Sequence, residues 1–163
     1  MEYRIIAYRP EYQNAVVNLI LPIQQNEFHV AITLNDQPDL KSIPAIYQKG
    51  NGNFWLALSE NIVVGTIAII DFGNHQVALR KMFVHENHRG KDKRVGQMLM
   101  DELLFWCRQR QIKEIYLGTL DSMHAAHRFY IRNSFSEISP SELPETFPRM
   151  RVDNRFFKRT LLP

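Results

Sequence analysis

The chain predicts a mixed α/β fold of the α+β kind, with a twisted, largely antiparallel sheet carrying helices on both faces. Three observations predict it. Residues 53–84 hold three runs rich in apolar and β-branched side chains, separated by short polar turns, which is the pattern of an antiparallel meander. Residues 95–109 place Val95, Met98, Leu99, Leu103 and Trp106 at helical spacing, an apolar stripe able to cover a sheet face. A buried-strand run at 112–119 follows, then a further helical pattern and two tail strands.

Taken in order, residues 3–8 read as the first strand. Pro10 opens a helix that runs to about Gln25, because its fixed φ suits a first helical turn, and Ala15, Val16, Leu19 and Ile20 fall on one side. Residues 26–35 are a loop, and 36–48 a second helix stopped by Gly50. Strands are expected at 53–59, 62–71 and 75–84, with turns containing Glu60-Asn61 and Gly73-Asn74. A helix over 95–109, a strand over 112–119 and a helix over 123–133 follow, and the tail folds back as strands 135–138 and 152–161. Pro140, Pro144 and Pro148 interrupt pairing between the last two, so 139–150 is an irregular loop. The order is βααβββαβαββ.

A length of 163 residues suits one domain with its own core, expected over 1–163, and is short for two. With 45% apolar and 23% charged residues the composition is that of a globular chain in water. Met1-Glu2-Tyr3-Arg4 lacks the basic-then-apolar form of a secretory leader, and the most apolar stretch, 62–70, is too short to span a bilayer. The expectation is a cytoplasmic protein with no membrane partner, and a single cysteine, Cys107, agrees with a reducing compartment. The net charge of +3 is modest, and apart from residues 89–94 the Lys and Arg residues are scattered without aromatic interleaving, so nucleic acid is not the expected partner. A homodimer is compatible with the sequence.

The chemistry is concentrated in residues 84–100. A strand end runs into a basic, glycine-containing turn, and an apolar helical pattern opens near Val95. Gly90 and Gly96 let backbone N-H groups approach a ligand without a Cβ in the way, and the helix start adds unpaired amides and a positive dipole end. Arg89, Lys91, Lys93 and Arg94 add cations. The pattern is a phosphate cradle, better suited to a pyrophosphate than to a carboxylate. Arg89, Gly90 and Lys91, with the backbone of Val95 and Gly96, form the candidate binding set, while Lys93 and Arg94 read equally as a solvated charge run.

Val84, Arg89, Gly90, Val95, Gly96 and Leu99 together resemble motif A of the GNAT superfamily of N-acetyltransferases. The departures are Glu86 where the family often has Pro, two extra residues between Arg89 and Gly96, and Arg94 in place of the middle Gly. Ala125-Ala126-His127-Arg128-Phe129-Tyr130 through Phe135 resembles the family's motif B, with Ser134 in place of Gly. The resemblance implies the same element order, acetyl-CoA as cosubstrate and an amine acceptor, with direct transfer in a ternary complex. It implies that the strand before motif A splays from the next one, so that the main chain of Met82 and Val84 holds the acetyl-pantetheine arm. It also implies Tyr130 as the group that hydrogen-bonds or protonates the departing thiolate. Arg128 is a candidate for the ribose phosphate, or else a surface residue of its helix.

Many relatives carry a Glu early in the fourth strand as a proton relay, and the corresponding residue here is Ala78, which cannot serve. Asp71, His75 and Glu27 are substitutes, and the base stays unassigned. The acceptor pocket is expected between the loop 24–35 and a late loop with Phe147 and Met150. The pairs His85 with His88 and His124 with His127 lack a third ligand at a matching interval, so no metal is expected. Cys107, beside Trp106 in mid-helix, reads as a buried inert thiol. The rival reading, prompted by the missing Glu and Gly, is a non-catalytic acyl-CoA-binding regulatory module.

Overall fold

The computed structural model describes residues 2–161; Met1, Leu162 and Pro163, the ends of the expected 1–163 domain, lie outside the described residues. Seven strands form one sheet in the order β1-β2-β3-β4-β5-β7-β6. They are β1 (Arg4–Ala7), β2 (Asn53–Ser59), β3 (Ile62–Gly73), β4 (Gln76–Val84), β5 (Glu114–Thr119), β6 (Ser136–Ile138) and β7 (Arg155–Thr160). All neighbours pair antiparallel except β4 and β5. That parallel contact is short: Gln76, Val77 and Ala78 face Glu114, Ile115 and Tyr116, and from Leu79 onward the same edge of β4 faces no strand.

Period-2 alternation sends successive side chains to opposite faces. Trp55, Ala57, Ile67, Ile69, Val77 and Leu79 pack on one face with Val95, Leu99, Leu103 and Cys107 of α3 (Val95–Gln109) and Tyr130 of α4 (His124–Arg132). Phe54, Leu56, Leu58 and Ala68 pack on the other face with Val16, Leu19 and Ile20 of α1 (Gln13–Pro22) and Ile43 of α2 (Ile43–Ile46). Further along this second face, Ala78, Tyr116, Phe147 and Phe156 form a smaller cluster under the late loop.

The meander follows the expected strands to within two residues. Both hairpin turns use two consecutive residues at positive φ, Glu60-Asn61 (50° and 67°) and Asn74-His75 (57° and 59°), the geometry that matches the strand twist. The second turn is therefore one residue later than the Gly73-Asn74 reading. The first two helices differ more. Residues 10–25 divide into a 3-10 turn (Pro10–Tyr12), α1 and a π-helical segment (Ile23–Glu27), because Pro22 has no N-H to continue the α ladder and the next turn widens. The helix expected over 36–48 is two short pieces, a 3-10 turn (Pro38–Lys41) and the four-residue α2, each opened by a proline in its first two positions.

One irregularity shapes the site. Thr66 faces Phe83 while Ala68 faces Arg80, so Lys81 and Met82 oppose the single residue Ile67, and Lys81 takes φ 55°. The bulge is pinned from several sides. The Thr66 hydroxyl donates to the Lys81 carbonyl at 2.6 Å, and Lys81 Nζ lies 2.6 Å from Gln37 Oε1 and 3.3 Å from Asp39. The Tyr47 hydroxyl donates to the same Asp39 oxygen at 2.5 Å. Burial pulls the Lys81 pKa below its ordinary value, and Asp39 opposes that shift. Lys81→Met keeps much of the stem but leaves Asp39 without its cation. We expect a loss of about 2 kcal/mol or more in urea unfolding, the scale for breaking one side of a buried pair; an unchanged midpoint would mean the bulge needs no such anchor.

Candidate active site

The open edge of β4 borders a cavity of about 680 Å³ that runs between the start of α3 and α4. Met82 and Val84 line it from the strand, Arg89, Gly90 and Lys91 from the turn, Val95 and Gly96 from the helix start, and Tyr130 from α4. The expected residue outside it is Arg128, which sits exposed on α4; Arg132, one turn on, lines the cavity instead. Gly96 permits the close packing here, since a Cβ at that position would lie 3.2 Å from Met82 Cε.

The turn is built by backbone conformation as much as by charge. Gly90 has φ 119°, a region that L side chains avoid, and the amides of Lys93 and Arg94 both donate to its carbonyl at 3.2 Å. Arg94 takes φ 58° as the N-terminal cap of α3, and its carbonyl accepts from Met98 N at 2.9 Å. The amides of the first turn of this 15-residue helix are left without intrahelical partners, at the positive end of the dipole. Lys93 folds back onto the turn, its Nζ donating to Asn87 O at 2.7 Å. Arg89 lines the cavity with its guanidinium already engaged. Nε donates to Val84 O at 2.8 Å, and both terminal nitrogens meet the carboxylate of Glu27, whose pKa falls below its ordinary value because of those bonds.

A second cavity, of about 130 Å³, lies on the other side of Tyr130. Phe28, Val30 and Ile32 of the early loop and Phe147, Met150 and Val152 of the late segment form apolar walls, and Arg80, Lys81 and Asp153 add charge. Six residues border both cavities: Phe28, Met82, Phe83, Met123, Ala126 and Tyr130. Tyr130 is the one with a protic side chain. Its ring packs among Phe129, Phe135 and Phe157, and burial pushes the phenol well above its ordinary pKa, so it stays protonated at any working pH.

The structure separates the three substitutes weighed for the base. Asp71 and His75 lie at the hairpin end of β4, where Asp71 accepts from the amides of Asn51 and Gly73, both at 2.9 Å. Glu27 is committed to Arg89. Asp101 of α3 lines the larger cavity, and the acid that lines the smaller one is Asp153, in the turn before β7. Its amide donates to Met150 O at 3.2 Å, and Asn154 N donates to Thr119 O at 3.0 Å, which docks the turn over the end of β5. Gly118 gives the carboxylate room: a Cβ there would lie 2.8 Å from Asp153 Cγ. Burial raises the Asp153 pKa to about 6, against the opposing pull of Arg80, Arg149 and Lys81. The sequence offers one faint signal for it, the turn-forming pair Asp153-Asn154 after the proline-rich loop.

His85 packs edge-on against His88, and His124 against His127. Cys107 is fully buried in the α3 core, with its thiol pushed up to about 12 by burial.

The split between β4 and β5, with the glycine-containing turn at its mouth, sets the class, and comparison with known proteins sets the family. Residues 18–135, more than half of the chain, match the model of the acetyltransferase (GNAT) family, and the chain belongs to that family. The crystal structure of a GNAT-family acetyltransferase from Staphylococcus aureus Mu50 is 41% identical, with a TM-score of 0.94 over 99% of this chain and 100% of that one. An acetyltransferase from Streptococcus agalactiae 2603 superposes with a TM-score of 0.92 at 28% identity, covering 98% of each chain. PaiA N-acetyltransferase from Thermoplasma acidophilum, solved in complex with coenzyme A, shares the fold with a TM-score of 0.75 at 12% identity over 99% of this chain and all of that one. Among curated proteins, N-acetyltransferase 8F1 of Rattus norvegicus is 27% identical over 104 residues, 61% of this chain and 46% of that protein, so the match spans under half of the relative's length.

Two substitutions separate backbone from charge in the turn. Gly90→Val puts a β-branched side chain at φ 119° and should weaken coenzyme A binding tenfold or more in a titration. Lys93→Ala removes a side chain already turned onto Asn87 O and should change affinity by no more than about threefold; the reverse order would mean that charge, not amide geometry, holds the ligand.

Proposed function

We propose that this protein is an acetyl-CoA-dependent N-acetyltransferase that passes the acetyl group directly to a primary amine in a ternary complex. The observation that carries the reading is Tyr130, the protic side chain shared by a large basic-mouthed cavity and a small apolar one. The donor would enter from the basic side and the acceptor from the other, with the thioester between them beside the phenol.

The residues present fit coenzyme A. The amides of Val95 and Gly96 and the turn of Arg89, Gly90 and Lys91 would hold the pyrophosphate, with Arg128 reaching the ribose phosphate from the outer face of α4. Because Val84 O already accepts from Arg89, the open main-chain groups at Met82 would carry most of the pantetheine pairing. Acetyl-CoA supplies the activated acyl group. The chain's part is to align donor and acceptor and to place the Tyr130 hydroxyl as a hydrogen-bond donor at the sulfur, where negative charge develops.

Direct transfer is favoured over a cysteine relay because Cys107 is sealed in the core and holds its proton to about pH 12. Among the described residues no helix is long and apolar enough to cross a membrane, and the proposal places the enzyme in the cytoplasm with no membrane or nucleic-acid partner.

Coenzyme A should raise the melting temperature by mass action, by about 2.7 kcal/mol of stability at a hundredfold excess over Kd. Dephospho-CoA should protect less if Arg128 meets the ribose phosphate, whereas equal protection by plain adenosine would sink the assignment of the cradle. Tyr130→Phe leaves the phosphate and strand contacts in place. It should keep coenzyme A affinity within a few-fold while lowering kcat roughly 10- to 1000-fold, and wild-type turnover in that variant would reduce Tyr130 to a packing residue.

A further inference from the structure

In the smaller cavity one carboxylate stands without a partner. Among the described residues no hydrogen bond or ion pair holds the Asp153 side chain, although it packs over Gly118 and lines the same cavity as Tyr130 and the bulge of β4. Arg80 and Lys81 add charge to the wall, and much of the rest is apolar, formed chiefly by Phe28, Val30, Ile32 and Phe147. A free carboxylate in such a setting is costly unless a cation meets it.

We propose that Asp153 is the base for the acceptor, taking a proton from the ammonium group of an amine carried on an apolar body. The proposal rests on the acetyl-transfer reading above and supplies the proton step that reading leaves open. The ammonium gives one proton to an Asp153 oxygen, and the freed nitrogen lone pair forms the N-C bond at the thioester carbon. The C-S bond then breaks with its electron pair going to sulfur, the new amide nitrogen loses its second proton to that sulfur, and Asp153 returns its proton to water. Products are the N-acetyl amine and coenzyme A thiol, with no oxidant or further reactant.

The direction of the Asp153 shift suits this task. A carboxylate of ordinary pKa is a poor proton acceptor for an amine near 8 to 10, and burial, which raises Asp153 to about 6, narrows that gap. The charged groups facing it are Arg80 and Lys81 from β4 and Arg149 from the late loop, all favouring the ionised form, while Tyr130 faces it from α4 and has its own proton held more tightly by it.

The test is thiol release from acetyl-CoA with n-butylamine, phenethylamine and a peptide bearing a free α-amine, measured from about pH 6 to 9 for wild type, Asp153→Asn and Gly118→Ala. In wild type an apolar amine should be acetylated. Asp153→Asn should lower kcat/KM by roughly 100- to 1000-fold near pH 7, and the deficit should shrink as pH climbs toward the amine's own pKa, where no base is needed. Gly118→Ala keeps the carboxylate but displaces it, and should cost at least tenfold. Both variants should keep the thermal shift given by coenzyme A. A further readout needs no acceptor. Asp153 binds its proton more tightly folded than unfolded, so ionising it costs stability as pH rises from about 4 through about 6. The Asn variant should therefore melt higher than wild type above pH 6 and alike near pH 4. Wild-type activity in Asp153→Asn, or a deficit that ignores pH, overturns the role of Asp153 while leaving acetyl transfer intact. Absence of both amine turnover and coenzyme A protection in wild type overturns the transfer reading and the base with it.

Discussion

The site depends on a strand pair that parts. β4 and β5 run parallel for three residue pairs and then diverge, and Met82, Val84, Val95, Gly96 and Tyr130 line the cavity beside the resulting gap. Parallel strands cannot be joined by a hairpin, so the chain must leave the sheet after β4 and return through a crossover. Here the crossover is the basic turn and α3, and the first turn of that helix faces the gap it has bridged. The same constraint exposes the β4 edge that a ligand can pair with. The bulge at Lys81 bends β4 where the two strands part, and the anchors through Gln37, Asp39 and Thr66 keep it bent.

Charge around the reacting centre is divided so that each group has one task. Burial holds the Tyr130 proton well above its ordinary pKa, so in the proposed reaction the phenol would serve as a hydrogen-bond donor to a thiolate whose conjugate acid has a pKa near 8.5, and not as a proton source. A proton released at nitrogen in that reaction would need a different group, and Asp153 lines the same small cavity as Tyr130. Arg80 and Lys81, next to each other on β4, are spoken for: Lys81 by Gln37 and Asp39, and Arg80 by the carbonyl of Pro148. They bias Asp153 toward its ionised form at a distance without neutralising it by contact.

Legibility followed sequence separation. The meander, α3 and α4 were readable because alternation, helical spacing and two-residue turns are local signals, and the turn at 89–96 was readable because its glycines and cations lie close together in the sequence. The first helices were misjudged at Pro22 and Pro44, where apolar spacing continues through residues whose backbone cannot. Asp153 was out of reach for a different reason. Its place over Gly118 is fixed by β5 pairing with β7, which brings Gly118 opposite Phe156, and by the Asn154 bond to Thr119, contacts between segments more than 30 residues apart. Arg128 lies exposed on α4, outside the cavity lining, while Arg132 one turn on borders it.

Part of the backbone strain lies at the site. Lys81 and Arg94 both take positive φ without being glycine, one at the bulge and the other at the cap of α3, and Ser134, at the end of α4, does so at 67°. Each such residue costs about 1–2 kcal/mol relative to an ordinary backbone conformation. Asp153 adds a desolvated carboxylate to that cost. The two cores on either side of the sheet carry no such features in their buried strands, so the fold's stability is drawn from Phe54, Leu56, Ile67 and their neighbours. Positive φ at Glu60, Asn61, Asn74 and His75 belongs to the hairpin turns, whereas at Lys81 and Arg94 it bends the chain around the gap between β4 and β5.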